Sequence, residues 1–272
     1  MHDMGIALER VERALRDGEQ ILVVTDYDVD GTTSSLILQH ALQLAARRTG
    51  REAHISWHIP DRFEEGYGFS LAAAQAAVNT HKQLIITADI GVRDHASIDL
   101  ARGGGVDVLV CDHHLPDGAD VPANASAVLC PPKAACSYPN SALAACGVSL
   151  KLAQALLEHH PQRERLLRSF LKLAAIGTVA DVVDLSTPEN RAIVGVGLQE
   201  LGRGPNAPGL AALMERAGLR DKPNLEASDL GFRIGPRINA AGRLVQANAV
   251  VELLNERDPQ RARERALALD QV

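Results

Sequence analysis

Val23-Val24-Thr25-Asp26-Tyr27-Asp28-Val29-Asp30-Gly31-Thr32-Thr33-Ser34 joins two kinds of pattern. The apolar run Ile21 to Val24 reads as a buried strand. Carboxylates follow at every second position, and after Gly31 the apolar residues recur at helical spacing through Leu36, Ile37, Ala41 and Leu44. Three acids therefore stand where a strand ends and a helix begins, the edge of an open parallel α/β sheet at which ligands bind. Three like charges held together need a positive partner, and a hard divalent cation is a suitable one.

The same rhythm repeats downstream. Ala53 to Ile59 alternates polar and apolar and suits a second strand. A loop dense in charge and glycine, Pro60 to Gly68, precedes an alanine-rich helix capped by Ser70. Leu84 to Ala88 is a third strand ending in Asp89, and Val106 to Cys111 a fourth ending in Asp112-His113-His114. Ala127 to Cys130 reads as a short fifth. An amphipathic helix over residues 4–17 ends at Gly18. The repeating βα units predict a parallel, doubly wound sheet over residues 1–185. Beyond Pro131 the pattern is mostly helical: 143–159, 163–176, 190–201, a segment to about 217, and 247 to the end. Gly231 to Leu244 reads as a basic, glycine-punctuated loop, and residues 186–272 as a helical segment leading toward a further domain, the pattern stopping midway at Val272.

With 272 residues and 46% apolar content the chain can bury a sizeable core. A net charge of −6 argues against a surface that binds nucleic acid everywhere, while leaving room for a local basic groove beside bound metals. No apolar run is long enough to span a bilayer. The four cysteines, Cys111, Cys130, Cys136 and Cys146, form no Cys-x-x-Cys pair; they read as reduced thiols of a cytoplasmic protein rather than a zinc site or a disulfide frame.

Three successive strands end in Asp26/Asp28/Asp30, Asp89 and Asp112/His113/His114, and in a parallel sheet those tips are neighbours. Mixed carboxylate and imidazole donors suit Mn²⁺, or Mg²⁺ with more carboxylate and water. A bridging carboxylate would hold two ions about 3.5–4 Å apart, the spacing of phosphoester hydrolysis. Each piece alone also has a plain structural reading: strand-tip acids cap helices, and paired histidines occur on ordinary surfaces. An EF-hand is ruled out, because the twelfth position counted from Asp26 is Ile37 rather than a bidentate Glu. Arg237, Asn239 and Arg243 carry donors suited to phosphates, or to pairing with the chain's own acids. Arg62 and Tyr67 could line a substrate path, Tyr67 by stacking a base, or Tyr67 could anchor its loop.

Asp26-Tyr27-Asp28-Val29-Asp30-Gly31, Thr87-Ala88-Asp89-Ile90-Gly91, Asp112-His113-His114-Leu115-Pro116 and Gly177-Thr178-Val179-Ala180-Asp181 together resemble the four motifs of the DHH phosphoesterase superfamily. Residues 60–68 and 236–244 narrow the resemblance to RecJ-type single-strand-specific 5′→3′ exonucleases. That resemblance implies metal-dependent release of mononucleotides from the 5′ end of single-stranded DNA in repair and recombination. It implies that Asp28 and Asp30 each bind one ion, that Asp26 supports the first, that Asp89 bridges, and that His113 and Asp181 complete the second. His114 would face the scissile phosphate as an electrostatic or acid partner, and Asp112 would orient its neighbours. A single-strand-binding protein or a helicase would deliver the strand. RecJ proteins are longer, with a second α/β domain and an OB-type domain absent here, and Thr25 and Val245 depart from the usual glycine and acid. The competing expectations are a phosphoesterase for short oligonucleotides or cyclic dinucleotides, and a non-catalytic replication scaffold of the same fold.

Overall fold

The computed structural model describes every residue except 49, 61–64, 119–120, 244–246 and 271–272, and leaves the side chains of 241–243 and 247 undescribed. Five parallel strands form one sheet in the order β2-β1-β3-β4-β5: β1 Gln20–Thr25, β2 His54–His58, β3 Leu84–Ala88, β4 Asp107–Cys111 and β5 Ala127–Leu129. The central strands are buried on both faces, which is why they read as unbroken apolar runs, whereas edge strand β2 alternates.

Alternate residues feed two cores. Ile21, Val23, Leu84, Ile86 and Leu109 face one layer, built on α1 (Met4–Asp17), α2 (Val29–Arg48) and, further along, α5 (Ala145–Leu156). Leu22, Val24, Ile85, Val108 and Val110 face the other, with α3 (Leu71–Asn79) and α4 (His95–Gly103). The sheet is thus doubly wound, with its strand order reversing between β1 and β3.

The helical remainder consists of α6 (Arg163–Ala180), α7 (Pro188–Arg203), α8 (Pro208–Arg216), a short turn α9 (Ala227–Asp229), α10 (Gly235–Arg243), α11 (Ala247–Asn255) and α12 (Pro259–Asp270). Its apolar residues, among them Phe170, Ile193, Leu210, Ile238, Val250 and Leu269, join the core beneath α2 and α5. Among the described residues no helix is long and apolar enough to cross a membrane.

Three expectations are corrected. Gly231 to Arg243 is not a loop: a π-helical turn, Leu230–Ile234, runs directly into α10. The segment stays helical because Leu230, Ile234 and Ile238, at helical spacing, are buried in the core. Second, Gly177 to Ala180 form the last turn of α6 rather than a turn after it. Gly177 is required there because Thr33, Cys146 and Asp30 all crowd the place a Cβ would occupy. Third, the C-terminal helical stretch is broken in two, where the Asp258 carboxylate accepts the Arg261 amide at 2.8 Å and Pro259 starts α12.

Candidate metal centre

The loop after β1 folds back so tightly that a Cβ at Gly31 would overlap the Asp26 carbonyl. Asp28 Oδ1 accepts the Gly31 amide at 3.0 Å, and Asp30 enters the first turn of α2 fully buried. Asp89, immediately after β3, holds a left-handed backbone with φ 64°. That conformation costs an ordinary L-residue about 1–2 kcal/mol, and Asp tolerates it better than most. Asp112-His113-His114 follow β4, and Asp181 caps the C-terminus of α6. The acids after β1 and β3 therefore straddle the point at which the strand order reverses, the expected ligand crevice of such a sheet.

These side chains converge. Donor atoms of Asp26, Asp28 and Asp89 lie within 4.8 Å of one another, as do those of Asp30, His113 and Asp181, and those of Asp89, His113 and His114. His113 Nε2 is 3.2 Å from Asp89 Oδ1 and 3.8 Å from Asp30 Oδ2, while its Nδ1 is 3.7 Å from Asp181 Oδ2. His114 Nδ1 lies 2.8 Å from Asp112 Oδ1, which also accepts the His113 and His114 amides at 2.7 and 3.1 Å. The other oxygen of Asp112 accepts the Val92 amide at 2.9 Å.

Electrostatics separate these carboxylates into two kinds. Burial alone would raise Asp112, but the hydrogen bond from His114, its charge and the backbone amides hold that carboxyl below the ordinary range. Asp89 is pushed well up, by burial and then by the charges of Asp30, Asp28, Asp112 and Asp26. Asp30 is raised by burial, partly offset by His113. Asp181 is pushed up to about 7 by burial and by Asp30 and Asp28. A cluster of acids that resists ionising on its own becomes favourable once cations sit among it.

The donors suit such cations. His113 Nε2 is buried and makes no hydrogen bond although two carboxylates face it, the posture of an imidazole aimed with them at a common centre. Carboxylate oxygens with imidazole match Mn²⁺, or Mg²⁺ where water completes the shell. Asp30 carries a further restraint. Its Oδ2 accepts the Ala145 amide at 2.7 Å and its Oδ1 the Cys146 amide at 2.9 Å, so the N-terminus of α5 cradles it. The helix dipole favours a negative group there, and each oxygen keeps a second lone pair for a cation.

Residues 20–178 match the DHH family, N-terminal domain. The chain belongs to the DHH family. It is 40% identical, over 97% of its length and 46% of the relative's, to the single-stranded-DNA-specific exonuclease RecJ of Dickeya dadantii. It is 41% identical to the protein of the same name from Escherichia coli, over 91% of this chain and 43% of that one. The chain spans less than half the length of these relatives. Among solved structures it resembles an exonuclease RecJ bound to manganese, with a TM-score of 0.85 and 33% identity over the whole of this chain and 65% of that one. It also resembles RecJ in complex with Mn²⁺ from Thermus thermophilus, with a TM-score of 0.79 and 31% identity over the whole of this chain and 37% of that one.

The outer residues of this DHH site are less uniform. Tyr67 reaches the centre, its hydroxyl 3.2 Å from His114 Nε2. Arg237 in α10 is held by the chain itself: it donates to Asp270 Oδ1 at 3.2 Å and to the Arg233 carbonyl at 2.7 Å. Asn239 lies in α10 with Oδ1 buried and without a hydrogen-bond partner. Arg62 and the side chain of Arg243 lie outside the described residues. Sequence reading missed the α5 amides that hold Asp30, because main-chain donors look alike whatever residue bears them. The neighbouring Gly177 was the only written trace of that close approach. It also missed Val182, 86% exposed and left-handed at φ 58°, a strained β-branched residue directly after Asp181.

Proposed function

We propose that this chain is the catalytic core of a metal-dependent exonuclease that hydrolyses single-stranded DNA from its 5′ end to mononucleotides, in DNA repair and recombination. The observation that carries this reading is the convergence of two donor sets, Asp26/Asp28/Asp89 and Asp30/His113/Asp181, in a chain whose relatives are named single-stranded-DNA-specific exonucleases. The first set would hold one divalent ion and the second another, with Asp89 reaching both; similar structures bound to Mn²⁺ or Mg²⁺ support that choice. When bound, such ions lower the pKa of a water and offset charge on the phosphoryl oxygens.

The side chains do the rest. Asp112 fixes the His114 ring through Nδ1, so that Nε2, with the Tyr67 hydroxyl 3.2 Å from it, would lie on the side of the scissile phosphate. Arg237, Asn239, Arg243 and Arg62 would hold phosphates of the strand, and Tyr67 would stack a base. For Arg237 this requires exchanging Asp270 for a phosphate. In this reading residues 1–185 form the catalytic domain and 186–272 a helical connection. The setting is the cytoplasm, where a single-strand-binding protein or a helicase delivers the strand.

The test is digestion of 5′- and 3′-labelled single strands and duplexes with Mn²⁺, Mg²⁺ or chelator, comparing wild type with Asp89→Asn. We expect mononucleotides from the 5′ end of single strands only, and a loss on the order of 10²- to 10³-fold in the variant, comparable to removing a main electrostatic contact to the reacting group. Undiminished digestion in chelator or by Asp89→Asn overturns the reading. Faster cleavage of dinucleotides than of long strands would favour the short-oligonucleotide phosphoesterase instead.

A further inference from the structure

Asp94 occupies the N-cap of α4, yet its side chain makes no capping hydrogen bond there. An Asp at that position ordinarily accepts an amide of the first helical turn. Here the carboxylate is turned the other way, and Oδ2 accepts the Phe69 amide at 2.8 Å. The Asp94 amide donates to the carbonyl of Gly91, two residues after Asp89, at 3.1 Å. Gly68 lies so close that a Cβ would stand 2.8 Å from Asp94 Oδ1, and both Gly66 and Gly68 have left-handed backbones, φ 79° and 92°. Forgoing a helix cap to hold a loop breaks a local rule, and such breaks gather where a site must be positioned.

Tyr67 sits between those two glycines. Its backbone is tethered on one side by Phe69, whose ring is 1% exposed in the core behind β3, and by Asp94. On the other side Glu65 is tied to His58 at 2.9 Å and accepts from Ser70 Oγ at 3.3 Å. The tip of the ring is held by the His114 contact, and the two rings stand edge to face, 6.2 Å apart and 81° between planes. Tyr67 as a whole is nevertheless 58% exposed. An aromatic ring pinned by backbone and tip, with its surface open beside a metal centre, is a preorganised platform for a planar group.

We propose that Asp94 is a positioning residue for the substrate: it fixes the Gly66–Phe69 turn so that the Tyr67 ring meets the base of the nucleotide lying next to His114. This deepens the exonuclease reading and rests on it. Asp94 touches neither strand nor metal; it acts through the Phe69 amide and the Tyr67 ring. A carboxylate is not needed for that task, only an acceptor, so Asp94→Asn retains the function and Asp94→Ala loses it.

The experiment compares wild type, Asp94→Asn, Asp94→Ala, Tyr67→Phe and the Asp94→Ala/Tyr67→Phe double variant. Steady-state digestion of single strands is paired with binding, in chelator, of an oligonucleotide carrying 2-aminopurine at its 5′ end, whose fluorescence is quenched on stacking. Asp94→Ala is expected to raise KM about five- to tenfold with kcat little changed, matching loss of one hydrogen bond or of part of a base stack, and to lose the quench. Asp94→Asn restores both. Tyr67→Phe, an exposed change that leaves folding alone, raises KM a few-fold, and the double variant is no worse than Asp94→Ala. Should Asp94→Ala be unfolded, Tyr67→Ala takes its place, and wild-type KM and quench in that variant overturn the proposal, because the ring would then meet no base. With folded variants, equal KM and quench in Asp94→Ala and Asp94→Asn also overturn it, leaving the exonuclease reading intact. Wild type that digests no single strand at all overturns the exonuclease reading itself.

Discussion

Asp181 is the residue at which pH should act most visibly. Burial, with Asp30 and Asp28 nearby, pushes its carboxyl up to about 7 from an ordinary 3.8. Between those values the folded metal-free chain binds a proton that the unfolded chain has released, so protonation adds stability at low pH. That contribution is complete below about 3.8 and disappears as pH rises through about 7. Melting in chelator should therefore show wild type losing stability, relative to Asp181→Asn, as pH is raised from 5 to 8. Cation binding must displace that proton, so Mn²⁺ affinity measured by calorimetry should strengthen over the same interval and level off above it. A wild type and an Asp181→Asn variant with parallel pH profiles would show that Asp181 does not carry the proton.

At the scale of elements the site depends on how closely α6 approaches α2 and α5. Gly177 permits that approach: an added Cβ would lie 2.7 Å from Cys146 Sγ and 3.0 Å from Asp30 Oδ1, besides overlapping Thr33 Oγ1. Gly197 in α7 is just as crowded, against Ala175 and the Leu171 carbonyl, but on the side of α6 away from the acids. Overpacking of this kind costs about 1–3 kcal/mol. Both Gly177→Ala and Gly197→Ala should thus lower the melting temperature by similar amounts. Only Gly177→Ala should also weaken Mn²⁺ binding by the folded protein, because it alone shifts Asp30 from the α5 amides. Equal Mn²⁺ affinities in the two folded variants would show that the α6–α2–α5 contact is purely structural.

For the whole molecule, the acids gathered at one end of the sheet make the metal-free fold less stable than its core allows. Cations that bind the folded chain and not the unfolded one reverse this by mass action, about 2.7 kcal/mol at a hundredfold excess over Kd. For a chain of this size that corresponds to a rise in melting temperature of about 5–10 °C. Thermal melts with and without Mn²⁺ read it directly. Asp89→Asn should melt higher than wild type in chelator, since it removes a buried carboxyl that must otherwise take up a proton or carry charge among four other acids, and should gain little from Mn²⁺. The proposed strand contacts of Arg62, Arg237 and Arg243 are few for a chain of net charge −6, so the proposed strand binding should fall only shallowly with salt, read as the slope of affinity against salt concentration.

What the sequence determined by itself was local and periodic. Apolar runs of strand length placed β1, β3 and β4 within a residue or so, and alternation placed β2. Asp26, Asp28, Asp30, Asp89, Asp112, His113 and His114 were legible as candidates because the chemistry of strand tips is written in side chains. Asp181 was legible chiefly through its motif, for it ends a helix and no periodicity marks it. Gly231 to Arg243 was misread because its glycines signal chain breaks locally, whereas Leu230, Ile234 and Ile238, buried at helical spacing in the core, hold the segment helical. Tertiary structure alone decided which acids share a donor set, that the α5 amides hold Asp30, that Asp270 holds Arg237, and that Asp94 leaves its helix to hold a distant turn. The reason is physical: strand order and helix packing bring together groups far apart in the chain, and main-chain donors bear no residue-specific mark, so neither can be read from a window of sequence.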